Sequence, residues 1–593
     1  MRVIATAGHV DHGKSTLVHA LTDMEPDRWK EEHRRGLTID LGFAWTTLPS
    51  GETVAFVDVP GHERFVTNML AGVGPVPAVM FVVAADEGWM PQSAEHLAAI
   101  DALGVRHGLL VVTRSDLADP RRARTRALGE IEDTSLGEVE AVTVSGATGQ
   151  GVDELRGALD RLVAQLPAPD PEGPVRLWVD RAFTIRGAGT VVTGTLPAGK
   201  LRTGDELVLA PAGRRVAVEG LQTLGRDADS ASAVARAAVN IRGLDRGHAG
   251  RGMALITPDR WFTTDTLDVR LRGDPADRLP SELTLHMGAA RVLARVRSLG
   301  PDTARLKLAI PLPLHVGDVA LLRNPGARRI AAGVVVLDVD PPHLGRRGAA
   351  SARARTLAGM SDHADGYAEL RRRGLVRRRH LLAMGCTPPD APGAGEWLCD
   401  PDLWASLRTR LRDLVDVYAK SHPLDPRLPL EAARRTLGLP DRRLAEVLAV
   451  EAQDLSVRDG GLVSGEAAPA LPPEVEAGLE AIRRGLANAP FAAPEAGWLA
   501  DLGLTPKLLA AAVRAGRLLR VAQGVYLLPD ALERATAVLV DLPEPFTVSE
   551  ARTALGTSRR VAVPLLELLD SRGVTERIDD SGRRSLRGRA PDR

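Results

Sequence analysis

The chain has 593 residues, 44% hydrophobic and 26% charged, with 76 Lys and Arg balancing 76 Asp and Glu. At roughly 150 residues per domain this length implies about four domains, and the zero net charge does not argue for or against a nucleic-acid partner. Cys386 and Cys399 are the only cysteines, which excludes a disulfide scaffold, fits a reducing cytosol and cannot complete a four-ligand zinc site. With no apolar run of about 18 residues and no signal-peptide pattern, the sequence predicts a soluble, cytoplasmic protein without a membrane partner.

The first predicted strand, residues 3–7, runs into Gly8-His9-Val10-Asp11-His12-Gly13-Lys14-Ser15, and residues 15–21 follow with a helical pattern. A G-x-x-x-x-G-K-S loop between a strand and a helix is what phosphate binding needs. Glycines let successive backbone N–H groups curl toward an anion, and the helix start adds its positive end. Lys14 reads as the contact to the β- and γ-phosphates and Ser15 as a Mg²⁺ ligand. Further apolar runs at 54–58, 79–84, 109–113 and 141–145 alternate with helical segments, so the domain is predicted to be α/β with a parallel sheet. Ligand chemistry then collects at the carboxyl ends of the strands.

The candidate residues fall at those ends. Asp58 stands where a carboxylate meets the Mg²⁺ shell, and Gly61 can donate its N–H to a γ-phosphate. His62 either orients the attacking water or is a solvent-exposed loop histidine. Thr38, after Arg34-Arg35-Gly36-Leu37, either completes the Mg²⁺ shell as a switch or lies on a plain surface loop. Asp116, closing Thr113-Arg114-Ser115-Asp116, can accept both the N1–H and N2–H₂ of guanine, a donor pair adenine lacks. The backbone of Ser145-Gly146-Ala147 can meet guanine O6.

Together the loop Gly8–Ser15, Arg35-Gly36-Leu37-Thr38-Ile39 and Asp58-Val59-Pro60-Gly61-His62-Glu63 resemble the first three motifs of the translational GTPases. The resemblance implies GTP and GDP as ligands, contacted by Asp11, His12, Gly13, Lys14, Ser15, Thr16, Asp58, Gly61, Thr113, Arg114, Asp116, Ser145, Gly146 and Ala147. It implies Ser15 and Thr38 as Mg²⁺ ligands, Asp11 beside a monovalent cation, and His62 as the catalytic histidine. One departure stands out. The guanine motif of the family reads Asn-Lys-x-Asp, and Thr113 cannot supply the Asn amide. Arg114 can still stack on the base, so guanine selection is expected to survive with a looser hold on the nucleotide.

Residues 167–174, rich in proline and glycine, read as a linker that closes a GTPase domain at 1–170. Short alternating strands with Gly turns then predict two all-β barrels, at 174–259 and 260–345. A GTPase domain followed by two barrels resembles the elongation factor Tu architecture. Asp40-Leu41-Gly42-Phe43, the run from Pro60 to Gly72, and Asp180-Arg181-Ala182-Phe183-Thr184-Ile185 are similar to the selenocysteine-specific elongation factors. In that family's pattern Asp180, Arg181 and Arg236 form the aminoacyl pocket. The chemistry agrees, because a selenol is ionised at neutral pH whereas a thiol with pKa ~8.5 is mostly neutral. Taken alone, Asp180-Arg181 reads more readily as a surface ion pair on a strand, and only the family context favours the pocket.

The tail is Ala-, Leu- and Arg-rich and breaks into repeats of two or three helices and a short strand pair, a winged-helix pattern. Four modules are expected: 346–395, with a basic run at Arg371-Arg372-Arg373, then 396–466, 467–530 and 531–593. In the last, Ser558, Arg559 and Arg560 open a helix where phosphates and base edges can be gripped. The resemblance implies that they bind an mRNA hairpin. The sequence thus predicts a monomeric GTPase that brings selenocysteyl-tRNA to the ribosome at hairpin-marked UGA codons. The alternatives are a general aminoacyl-tRNA factor, or a GTP-sensing nucleic-acid-binding regulator.

Overall fold

The computed structural model describes the chain except residues 27–37, 63–64, 75, 186–188, 245–246, 328, 459, 466–470, 579–581 and 587–593. Arg34–Leu37 ahead of Thr38, Glu63 and Arg64, and Gly187-Ala188 therefore lie outside the described residues. Two compact units emerge, Met1–Asp390 and Ala391–Arg593.

The first unit opens with a six-stranded sheet of β1 (Arg2–Gly8), β2 (Gly42–Thr47), β3 (Thr53–Asp58), β4 (Ala78–Ala84), β5 (His107–Thr113) and β6 (Glu140–Thr143), in the order β2-β3-β1-β4-β5-β6. Five strands are parallel and β2 runs antiparallel to β3. Every residue of β4 is buried, as expected for a strand with helices on both faces. Register brings Gly8 beside Val82 and Ala84 beside Thr113, so the ends of β1, β4 and β5 form one rim.

Next comes an antiparallel sheet that includes Arg176–Trp178, Arg181–Ile185, Gly189–Leu196, Arg214–Thr223 and Ala235–Arg242. It curls around a core of Val192, Leu207, Val218, Val239 and Leu255. The curl brings Arg176–Trp178 across Gly194, where a Cβ would stand 2.3 Å from the Trp178 carbonyl oxygen. Asp180 N then donates to the Thr193 oxygen at 3.0 Å. The following six strands, from Phe262–Gly273 to Arg329–Asp338, make a closed barrel.

Residues 349–383 add three helices to this unit. Two residues of the basic run noted in the sequence, Arg372 and Arg373, turn inward, while Arg371 is exposed. Asp268 and Asp338 are fully buried. Arg353 donates to both, at 2.7 and 2.6 Å, while Arg305 grips Asp268 and Arg373 reaches Asp338 at 2.8 Å. Arg372 and Arg373 also pair with Glu369 on their own helix. Removing one member of such a buried network costs about 3–5 kcal/mol, because charges are left uncompensated. These arginines hold the helices on the barrel.

In the second unit, helix Pro401–Ser421 precedes helices Leu430–Leu437 and Arg442–Glu451 and the hairpin Leu455–Arg458 with Gly461–Ser464. Helices Pro473–Asn488, Ala496–Asp501 and Pro506–Arg514 lead to the hairpin Leu519–Ala522 with Val525–Leu527. The last repeat comprises Ala531–Leu539, Val548–Ala554, Arg559–Ser571 and the hairpin Thr575–Arg577 with Arg584–Leu586. A capping box of Thr547 and Glu550 starts its second helix. One hydrophobic cluster runs from Val475 through Phe546 to Leu569, so the last two repeats share a core.

Candidate functional site

The loop after β1 curls because three residues adopt positive φ: Gly8 at 128°, Asp11 at 63° and Gly13 at 78°. At Gly8 nothing larger fits, since a Cβ would stand 2.1 Å from the Val82 carbonyl oxygen. Helix Pro91–Ala102 holds the loop from outside: His96 Nδ1 accepts from Gly8 N at 3.0 Å and Gln92 Oε1 from Val10 N at 3.2 Å. Burial, helped by the Lys14 charge, pushes His96 down to about 3, so at neutral pH it is an acceptor. Burial and the neighbouring His9 push His12 down to about 4. The cradle's side-chain positive charge therefore comes from Lys14, whose Nζ arches back to Gly8 O at 3.2 Å and His9 O at 2.6 Å.

A cavity of about 670 Å³ opens over this loop. Asp11, Gly13, Lys14, Ser15, Thr16, Thr38, Gly61, Thr113, Arg114, Asp116, Gly146 and Ala147 all line it. Asp58, Ser145 and His12 are buried behind it. His62 follows Gly61 but is not among the lining residues, and its ring lies 6.0 Å from that of Phe65. Ser15 Oγ donates to Asp58 Oδ2 at 2.6 Å and stands 2.9 Å from Thr38 Oγ1. Thr6 Oγ1 fixes the other Asp58 oxygen at 2.7 Å. Two hydroxyls and a carboxylate, all oxygen donors at one point, suit a small hard cation.

The departure in the guanine motif acquires a structural role. Thr113 Oγ1 donates to the His12 carbonyl at 2.7 Å, and Arg114 donates to the Asp11 carbonyl. Both residues thus tie the base-side loop to the phosphate loop. The Arg114 guanidinium is held by Asp86 at 2.9 Å and Glu87 at 2.7 Å. That leaves its stem, rather than a free guanidinium, to face a base. Asp86 and Glu87 went unnoticed in the sequence, although an acidic pair one residue past the end of β4 sits at the rim where ligands gather.

Asp180, Arg181 and Arg236 come together. Arg236 forks onto Asp180 and also donates to Thr193 Oγ1 at 3.1 Å. Asp180 is only 6% exposed and the Arg236 side chain 13%. Both arginines sit over one ring, Phe43 of β2, with guanidinium carbons 5.5 Å (Arg181) and 3.8 Å (Arg236) from its centroid. Arg181, Arg236, Phe43, Thr193 and Gln222 help to line a cavity of about 230 Å³ between the first domain and the curled sheet. Phe43 escaped the sequence reading as a functional residue, since an aromatic in a strand is ordinarily core. Its only signal was its place beside Asp40 in the family-like stretch.

In the last repeat, Ser558 is the N-cap of helix Arg559–Ser571, and Ser558, Arg559 and Arg560 are exposed. Arg560 is also engaged: it donates to the carbonyls of Gly524 at 3.3 Å and Ala493 at 3.2 Å in the preceding repeat. Among the described residues no helix is long and apolar enough to cross a membrane.

Known proteins are similar to this chain. Residues 1–165 match the family model of the elongation factor Tu GTP binding domain. Residues 265–343 match the selenocysteine-specific elongation factor beta-barrel domain, and residues 538–584 the elongation factor SelB winged helix. The chain is 31% identical to the selenocysteine-specific elongation factor of Escherichia coli over 97% of each chain. It is 38% identical to that of Desulfomicrobium baculatum over 56% of this chain and 55% of the relative. Translation initiation factor 2 subunit gamma of Thermococcus kodakarensis is 33% identical over 55% of this chain and 94% of its own length. A crystal structure of bacterial selenocysteine-specific elongation factor EF-Sec shares the fold with a TM-score of 0.77, at 24% identity, over 99% of this chain and 100% of that one. The Methanococcus maripaludis SelB structure in complex with the GTP analogue GppNHp reaches 0.51 at 25% identity, over 57% of this chain and 79% of the other.

Proposed function

The chain belongs to the selenocysteine-specific elongation factors, and from that premise we infer what each part contributes to the delivery of selenocysteyl-tRNA by this GTPase. Guanine nucleotide binds in the cavity over the Gly8–Ser15 loop. Loop N–H groups and Lys14 take the phosphates, while Asp116 reads the base and Gly146 and Ala147 flank it. Ser15 and Thr38 are the proposed Mg²⁺ ligands, with Asp58 behind Ser15, and the bound ion supplies charge neutralisation at the β- and γ-phosphates. Gly61 senses the γ-phosphate and His62 orients the attacking water once the ribosome has brought it inward. Loss of the γ-phosphate releases Thr38 and Gly61, and with them the tRNA.

The amino acid enters the smaller cavity. The single observation that carries this is the convergence of Arg181 and Arg236 on Phe43. Two cations over one apolar ring, with Asp180 fixing one of them, favour an anionic side chain over serine's hydroxyl or a protonated thiol. The end of the chain, through Ser558, Arg559 and Arg560, takes an mRNA hairpin. RNA of that shape is read at its loop and backbone rather than in its deep major groove. The factor acts as a monomer, in the cytoplasm where the ribosomes are.

The test is a binding comparison with the protein in a non-hydrolysable GTP form. Selenocysteyl-tRNA should bind far more tightly than the same tRNA carrying serine or cysteine. Equal affinities for the three would defeat the reading.

A further inference from the structure

Arg236 and Arg181 face the same ring but are neutralised from different places. Arg236 is paired within its own sheet, to Asp180. Arg181 is paired across the domain boundary: its Nε donates to Asp40 Oδ2 at 2.9 Å, and its terminal nitrogen to the Leu41 carbonyl. The second Asp40 oxygen takes Arg251 at 3.3 Å. Asp40 thus holds two arginines of the second domain at once, Arg181 on the curled sheet and Arg251 in the turn before Ala254–Ile256.

Asp40 is also two residues from Thr38. In this same structure Thr38 Oγ1 is docked 2.9 Å from Ser15 Oγ, which is bonded to Asp58. Consecutive Cα atoms are about 3.8 Å apart, so the two anchor points are separated by about 7 Å at most. Asn68 fixes the peptide between them, donating to the Ile39 carbonyl at 2.8 Å. A segment that short cannot lose one anchor by several ångströms and keep the other.

We propose that Asp40 is the residue that couples nucleotide state to the amino-acid pocket: its carboxylate holds Arg181 and Arg251 only while Thr38 is docked, and release of Thr38 opens the cleft beside Phe43. This rests on the reading of the Arg181–Arg236 cavity as the amino-acid pocket. Charge bookkeeping fits a mechanical latch rather than an attractive site. Asp40 by itself would repel an anion, so its use lies in fixing the position of Arg181 over Phe43.

The test uses the full-length Asp40→Asn variant and its Asp40→Glu companion. Selenocysteyl-tRNA affinity is measured in the GDP form and in the non-hydrolysable GTP-analogue form. Asp40→Asn should cut the ratio of the two affinities by on the order of tenfold, through loss in the GTP-analogue form alone. Asp40→Glu should restore part of the ratio. An unchanged ratio, or an equal loss in both forms, would overturn the coupling role. Arg236→Ala is the separate control. If it still favours selenocysteine over serine, the pocket reading fails whatever Asp40 does.

Discussion

Arg236 and Phe43 belong to different domains, yet the guanidinium carbon of one stands 3.8 Å from the ring centroid of the other. The contact makes the ring part of the pocket wall and keeps the cation at a surface that water reaches poorly. Phe43→Ala should weaken selenocysteyl-tRNA binding by about 1 kcal/mol, roughly fivefold, through the lost cation–π contact. GDP and GTP affinities should not change. Equilibrium titration with labelled tRNA and with nucleotide checks both halves.

Gly61 is confined by the loop it faces. A Cβ there would lie 2.4 Å from Val10 N and 2.6 Å from Lys14 Nζ. Gly61→Ala should therefore bind GDP nearly as the parent does, but bind the GTP analogue poorly and hydrolyse GTP at a small fraction of the ribosome-stimulated rate. Paired nucleotide titrations and a single-turnover assay report this.

Thr113 bonds the base-side loop to the His12 carbonyl. Thr113→Ala removes a buried hydrogen bond worth about 1 kcal/mol net, so GDP should leave roughly fivefold faster. Stopped-flow displacement of a fluorescent GDP measures the rate. Asp116 is untouched, so preference for guanine over adenine should persist.

Four histidines, His12, His96, His286 and His315, are held well below their ordinary value by burial first, at about 4, 3, 4 and 4. In each case the unfolded chain binds the proton more readily. Stability should be complete above about pH 6.5 and fall as the pH drops from there toward about 4. Thermal unfolding from pH 7.5 to 4.5 shows this as a declining Tm. His96→Gln should flatten part of the decline while lowering the Tm at neutral pH, since His96 supports Gly8.

Arg559 and Arg560 separate recognition from architecture. Arg560 is tied to Gly524 and Ala493 of the preceding repeat, and Thr557, nearby in the chain, donates to the Phe491 carbonyl. Arg560→Ala should speed amide exchange between the last two repeats as well as weaken hairpin binding. Arg559→Ala should weaken hairpin binding alone, and reduce its salt dependence by about one ion.

Much of this was readable from the chain because the signals are contiguous. The phosphate loop needs its glycines in order, and five of the six strands of the first sheet are apolar runs. The sixth, β2, reads Gly42-Phe43-Ala44-Trp45-Thr46-Thr47 and lies antiparallel beside β3, with none of the long β-branched character of a central strand. Losing it meant missing Phe43. Arg236 lies 56 residues beyond Asp180, and only the curl of the sheet joins them. The inward turn of Arg372 and Arg373 was not legible in the sequence for a physical reason. Charge runs are usually solvated, and nothing local shows that Asp338 and Glu369 draw Arg372 and Arg373 inward.

The most direct measurement is the affinity of the GTP-analogue form for one tRNA carrying selenocysteine and then serine, across a pH series that spans selenol ionisation. Binding of the selenocysteyl form should strengthen as the selenol ionises, while the seryl form stays weak throughout. A selenocysteine preference with no pH dependence, or no preference at all, would contradict an anion held between Arg181 and Arg236.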